Sequence, residues 1–236
     1  MAGYRRILLK LSGQSLAGPN GFGIHTPTLR QDAGEIAKMA GEGHQVAIVI
    51  GAGNIFRGVS GAAEGMDRAT ADQMGMLATV INCLALGNAL EQEGSSARVL
   101  SAVPVGGIVD AFRRGRAIGS MDDGNIVILA AGTGNPYFTT DTAAALRAGE
   151  IGADVLVKAT RVDGVYDKDP EKFDDAERFD ELSYDEVIRR GLGVMDMAAF
   201  LICRDNRIPI LVLDLHESGN IGRAAKGERV GTLVRG

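Results

Sequence analysis

Short runs rich in Ile, Val and Leu alternate along this chain with stretches whose apolar residues recur every three or four positions. Arg6-Ile7-Leu8-Leu9-Lys10-Leu11 and Gln45-Val46-Ala47-Ile48-Val49-Ile50 are almost unbroken apolar runs, the pattern of strands covered on both faces and so of a parallel sheet. Similar runs predict strands at Ala97–Ser101, 126–131, 154–158 and 208–213. Between the first two, Leu29, Ala33, Ile36, Ala37 and Ala40 keep helical spacing. Thr26 offers that helix an N-cap hydroxyl, Pro27 suits its first position, and Gly41 and Gly43 can end it. Helices are also expected over most of 65–93 and at 140–151, 183–190 and 194–206. The alternation predicts an α/β fold, a three-layer sandwich around a mostly parallel central sheet. No linker, repeat or low-complexity tract divides residues 1–236, so one domain is expected, with the acidic stretch 167–180 as a loop excursion.

One helical stretch departs from the amphipathic pattern. Met74 through Leu84 is apolar almost all round, and such a helix is covered on every side, by the protein's own core or by a second subunit. At 45% hydrophobic and 23% charged residues the chain can bury a core without disulfides. Its net charge of −5 and its aromatic fraction of 5%, with no Trp, lack the basic footprint and stacking rings of a nucleic-acid binder. Arg113, Arg114 and Arg116 read as a solvated helix face. Cys83 and Cys203 sit in apolar surroundings without metal-ligand spacing and read as reduced, buried thiols. The opening MAGYRRILLKLSG holds too short an apolar run for a secretory signal, and no run is read as long enough for a membrane span. A cytoplasmic protein is expected.

Glycine is the outlier, with 33 of 236 residues, about twice the usual share of roughly 7%. The glycines gather just after apolar runs, where a turn needs φ > 0 or a ligand needs close backbone approach. Four clusters follow strands in this way: 10–13, 51–58, 132–141 and 158–166. In a parallel sheet all strand C-termini share one rim, so the four clusters should converge there. Backbone N–H groups of Gly51-Ala52-Gly53 can face an anion, and Arg57 adds a cationic fork. Thr139 and Thr140 precede an apolar helix, as caps or as hydroxyl donors to phosphate. Lys10, at the end of an apolar strand, is poorly solvated there unless an anion partners it. Neither a Walker lysine loop nor the dinucleotide fingerprint is present, since Phe56 stands where the latter needs its third glycine. His25, His44 and His216 fall in loops or at strand ends, away from nucleophilic or metal work.

Taken together, RILLKLSG at 6–13, GNIFRG at 53–58, DQMGMLATV at 72–80, GTGNPYFTTD at 132–141, KATRVDGVYDKDP at 158–170 and VMDMAAF at 194–200 resemble the amino acid kinase family, and within it the bacterial UMP kinases. The resemblance implies phosphoryl transfer from Mg-ATP to UMP, with an acceptor lobe at about 1–150 and a donor lobe at about 151–236. It implies ATP contacts at Lys10, Leu11, Ser12, Gly13, Gly53, Arg57, Thr160, Tyr166 and Asp169, with Arg57 also able to reach the acceptor phosphate. It implies UMP contacts at Ala52, Asp72, Thr133, Gly134, Asn135, Pro136, Tyr137, Phe138, Thr139 and Thr140. Lys10, Asp141 and Asp196 would be catalytic, the two acids orienting Lys10 or magnesium-bound water, with no metal held by the protein alone. Gly18, Pro19, Asn20, Gly21, Phe22 and Gly23 align with a loop linked to GTP activation; the bland reading is a glycine-rich surface loop. GTP and UTP as effectors and a homohexamer are further implications. Two positions depart from the family pattern: Ala52 replaces a frequent glycine, tolerable at negative φ, and Gln14 replaces a frequent glutamate. Relatives with carboxylate or carbamate acceptors, and oxyanion-storing proteins on the same scaffold, are the alternatives.

Overall fold

The computed structural model describes residues 3–63, 65–160, 162–170, 172–193, 195–215 and 217–236. Arg161 and Val194, in the motifs above, and His216 lie outside the described residues. In chain order the elements are β1 (Arg6–Leu11), a 3-10 segment (Gly13–Asn20), α1 (Thr26–Gly41), β2 (Gln45–Ile50), α2 (Gly58–Ala63), α3 (Arg68–Gln92), β3 (Ala97–Ser101) and β4 (Asp110–Ala111). There follow α4 (Arg114–Asp122), β5 (Ile126–Ala130), α5 (Thr140–Ile151), β6 (Val155–Thr160), β7 (Val165–Tyr166), β8 (Arg178–Phe179), β9 (Glu181–Ser183), α6 (Tyr184–Arg190), α7 (Met197–Asp205), β10 (Ile210–Asp214), α8 (Asn220–Ala225) and β11 (Thr232–Arg235).

Nine strands form one sheet in the order β4-β3-β5-β2-β1-β6-β10-β11-β9, and β7 pairs with β8 beside it as a small antiparallel hairpin within the 167–180 excursion's flanks. All neighbours in the large sheet run parallel except β10 and β11. Because side chains alternate along each strand, the two faces build separate cores. Ile7, Leu9 and Leu11 pack with α1, α3 and α8, whereas Leu8 packs on the opposite face with α4, α5, α6 and α7. This is the three-layer arrangement that the near-continuous apolar strands predicted.

Element boundaries differ from expectation where side chains intervene. His25, not Thr26, caps α1; its ring accepts from Thr28 N at 3.4 Å, and Thr26 is already helical. Asp154 lies outside β6 because its carboxylate takes the Arg5 and Arg6 N–H groups at 2.8 Å each. Asp196 caps α7, so that helix begins at Met197. Arg114 and Arg116 are exposed on α4.

Helix α3 differs most from expectation. At 25 residues it is long and apolar enough, by length and composition, to span a bilayer, which the count of uninterrupted apolar residues missed. Here it is a core helix on one side only: Val80, Cys83, Leu86 and Leu90 are buried, while Met74, Leu77, Ile81 and Leu84 are exposed. Cys83 and Cys203 are both free and buried, and burial pushes the Cys203 thiol up to about 12 and Cys83 higher still.

Candidate active site

Lys10 and Lys158 are register partners across the parallel pair of β1 and β6. Strand alternation puts both on the face that carries α5, where Leu8 and Leu156 also point. Two ammonium groups side by side would repel. Asp141, in the first turn of α5, stands between them: Lys10 Nζ approaches its Oδ1 at 2.6 Å and Lys158 Nζ its Oδ2 at 2.6 Å. Burial alone would raise the Asp141 carboxyl, but the two lysines outweigh it and hold it below the usual carboxylate range. Burial lowers the Lys158 ammonium, and Lys10 adds to that effect while Asp141 opposes it. Two cations against one anion leave this buried unit with a net positive charge, suited to a polyphosphate.

The unit spans two cavities. The first, of about 510 Å³, lies at the C-terminal ends of β1, β2 and β5. Three of the four glycine clusters supply its walls: Lys10, Ser12 and Gly13; Gly51, Ala52, Gly53 and Arg57; and Thr133, Asn135, Phe138, Thr139 and Thr140. Asp72 closes it from α3. The second, of about 560 Å³, sits at the end of β6 and is lined by Lys158, Thr160, Tyr166 and Asp169 from the fourth cluster. Lys10 faces one cavity, Lys158 the other.

Local conformation explains the walls. Gly13 packs so tightly on the next strand's turn that a Cβ there would stand 2.3 Å from the Gly51 carbonyl oxygen. Ala52 avoids positive φ, so its methyl is tolerated and its N–H remains available. The loop after β5 holds Ala131 (φ 63°), Gly132 (φ 60°), Gly134 (φ 82°) and Tyr137 (φ 74°) in the left-handed region. Two non-glycine residues in that region cost about 1–3 kcal/mol each and persist only where surroundings enforce them. Thr79 Oγ1 accepts from Ala131 N at 2.8 Å, and Asp72 Oδ2 accepts from Tyr137 N at 2.8 Å and from Arg68 Nε at 2.8 Å. Thr139 caps α5, its oxygen accepting from Asp141 N at 3.0 Å and Thr142 N at 3.3 Å.

Some expected residues stand differently. The Leu11 side chain is wholly in the core, which leaves only its backbone for a ligand. Gly134, Pro136 and Tyr137 shape the loop without lining the cavity. Asp196 does not meet Lys10; it accepts from Thr139 Oγ1, from Thr142 Oγ1 at 2.9 Å and from Ala199 N at 2.9 Å, tying α5 to α7, and adds a small attraction on Lys158. Thr160 Oγ1 accepts from Val162 N at 2.9 Å, and Tyr166 OH donates to Asp163 at 2.6 Å. The Gly18–Gly23 stretch lines neither cavity, although Gly23 N donates to Asn54 O at 2.8 Å, beside the first. Lys158 joins the candidate residues only through the structure; its matching strand phase with Lys10 was the available signal.

Among the described residues no group of three or more His, Cys, Asp or Glu side chains could hold a metal. Both Asp141 oxygens face lysines and both Asp196 oxygens are hydrogen-bonded. This donor set suits a hard cation that arrives on phosphate oxygens and keeps its waters.

Comparison with known proteins agrees with the geometry. A uridylate kinase of Xanthomonas euvesicatoria pv. vesicatoria is 55% identical over 233 residues, covering 99% of this chain and 97% of its own. The crystal structure of a UMP kinase from Bacillus anthracis superposes with a TM-score of 0.95 at 39% identity, over 99% of this chain and 96% of that one. A UMP kinase from Ureaplasma parvum gives 0.92 at 34% identity, over 98% and 99% respectively. The family profile matches residues 5–214, which hold both cavities' strands and the lysine–aspartate unit, and the chain belongs to the amino acid kinase family.

Proposed function

We propose that the protein is an ATP-dependent UMP kinase, transferring the γ-phosphoryl group of ATP to a phosphate oxygen of UMP. The observation that carries this reading is the Lys10–Asp141–Lys158 unit standing across two adjoining cavities. UMP occupies the first, with its uridine and phosphate along Thr133–Thr140 and its ribose hydroxyls on Asp72. The adenosine of ATP occupies the second, beside Thr160, Tyr166 and Asp169. Its phosphates reach toward Lys10, Ser12, Gly13 and Gly53, and Arg57, exposed at the rim, meets donor or acceptor phosphate.

The attacking UMP oxygen is already ionised at neutral pH, so the chemistry needs no general base, and among the described residues no histidine lines either cavity. Phosphoryl transfer depends on placement and on neutralising charge spread over the transferred group. Lys10 and Lys158 do this from below and the glycine-loop N–H groups from the side, while Asp141 keeps both lysines aimed without cancelling their charge. Asp196 acts at one remove by fixing Thr139 and Thr142. Mg²⁺ would be held by the nucleotide's phosphates and water and would supply further charge neutralisation.

Finer features follow the same reading. The Gly18–Gly23 stretch answers GTP, with UTP as a second effector, and its backbone link to Asn54 gives it a route to the glycine loop. The exposed apolar side of α3 supports assembly into a homohexamer. The two buried free thiols fit a reducing cytoplasm, and a kinase that makes UDP would serve pyrimidine nucleotide synthesis there. On this reading residues about 1–150 would form the acceptor lobe and about 151–236 the donor lobe.

A coupled assay of ADP release tests the assignment. UMP should support turnover, CMP weakly if at all, and aspartate and glutamate not at all; GTP and UTP added to the same assay should change its rate. Turnover with an amino acid, or ADP release indifferent to UMP, would overturn it.

A further inference from the structure

Two asparagines lie behind the first cavity without lining it. Asn54 and Asn82 are 1% and 0% exposed. Their amides face each other: Asn54 Nδ2 donates to Asn82 Oδ1 at 3.0 Å, and Asn82 Nδ2 donates to Asn54 Oδ1 at 2.8 Å. The other proton of each amide goes to a backbone carbonyl, Asn54 to Gly23 O at 2.8 Å and Asn82 to Gly51 O at 2.8 Å. Carbonyls only accept, so these two bonds fix which way both amides point, and the reciprocal pair then uses every N–H. Closed, buried networks of this kind specify one geometry, because any partial break leaves a polar group unpaired.

The carbonyl that Asn82 holds is the one on which Gly13 packs. A Cβ on Gly13 would lie 2.3 Å from Gly51 O and 2.7 Å from Asn54 Oδ1. Gly51 is also held from its other side, its N–H donating to Leu11 O at 3.0 Å. The pair therefore sets both the tilt of the Gly51 peptide and the spacing between the Gly51–Gly53 and Ser12–Gly13 strips, and both strips line the first cavity.

We infer that the Asn54–Asn82 pair is a positioning unit for phosphoryl transfer, holding two backbone strips at the spacing the reacting phosphates require. Neither residue touches substrate; each acts through Gly51 and Gly13. The inference rests on the kinase reading. Displacements of about 1 Å at such a site cost roughly 100-fold in rate, whereas a pair that only satisfied buried carbonyls would affect stability alone.

Steady-state kinetics of the full chain with UMP and Mg-ATP, run alongside thermal melts of Asn82→Ser, Asn82→Leu and Asn54→Ser, separate the two. In Asn82→Ser, assayed well below its melting midpoint, kcat and kcat/KM for both substrates should fall together by about 10- to 100-fold, the mark of an interaction expressed in the transition state. Asn54→Ser, which frees the Gly23 carbonyl but leaves Asn82 on Gly51, should fall less. Asn82→Leu removes the hydrogen bonds at similar volume and should match Asn82→Ser if it folds. Wild-type kcat per folded molecule in Asn82→Ser, a loss seen only in KM, or an equal or larger loss in Asn54→Ser would overturn the inference. Absence of UMP-dependent turnover in the unaltered protein would instead overturn the kinase reading.

Discussion

Lys10 and Lys158 share one carboxylate, and that sharing decides what each substitution should do. Removing Lys10 leaves Asp141 paired with Lys158, so no buried charge is stranded. Removing Asp141 leaves two ammonium groups facing each other, with the destabilisation expected of an uncompensated buried charge. Lys10→Met should therefore lower kcat by a factor of about 100 or more, the scale for losing one preorganised donor, while UMP affinity and the melting temperature stay close to those of the parent. Turnover assays with calorimetry of UMP binding check this, and wild-type turnover would take Lys10 out of the mechanism. The same logic explains Gly13 and Gly58. A Cβ at Gly58 would stand 2.2 Å from Asp72 Oδ1, so each glycine makes room for a group that the site uses.

Among the elements, α1 carries an unsatisfied group. Asp32 lies in its buried stripe beside Leu29, Ala33 and Ile36, is 4% exposed, and its Oδ2 has no hydrogen-bond partner. Burial raises its carboxyl to about 7, against about 3.9 in an unfolded chain. The folded state thus binds the proton more tightly, and stability is lost as pH rises from about 4 through 7. The three-unit difference corresponds to about 4 kcal/mol at most. Urea melts of the parent and Asp32→Asn should show the variant's advantage growing between pH 5 and pH 8; a constant gap would contradict the burial. Asp32 also marks what patterns along a chain do and do not convey. The strands β1, β2 and β3 and the helix α5 were legible residue for residue, because their apolar runs and caps are local. The antiparallel β11, the short β9 and α8 were not, since three to six residues carry little periodicity. Within the site, Lys10 stood out as a charge ending an apolar strand, but Lys158 gains its meaning only when β6 lies beside β1. Asn82 carried no signal of its own along the chain; its role depends on Gly51, 31 residues away.

On the scale of the whole molecule, a parallel sheet brings distant glycine clusters to one edge, and Lys10 and Thr140 indeed line the same cavity. The opposite surface of α3 is the feature a lone chain does not explain. Leu77 and Ile81 are 52% and 51% exposed, and Met74 and Leu84 flank them. The spacing 74, 77, 81, 84 is the three–four alternation of a helix-pairing seam, on a helix whose other side holds Asn82 and Thr79 against the glycine and β5 loops. A second copy of the chain offers the same seam, and self-pairing would cover it and brace the site from behind. Light scattering at micromolar concentration should show an oligomer for the parent, and the double variant Leu77→Glu with Ile81→Lys should shift it toward monomer. Because the substituted side chains point away from the core, the variant's far-ultraviolet circular dichroism should stay unchanged. A monomeric parent would leave the apolar seam without a partner and remove the argument for assembly through α3.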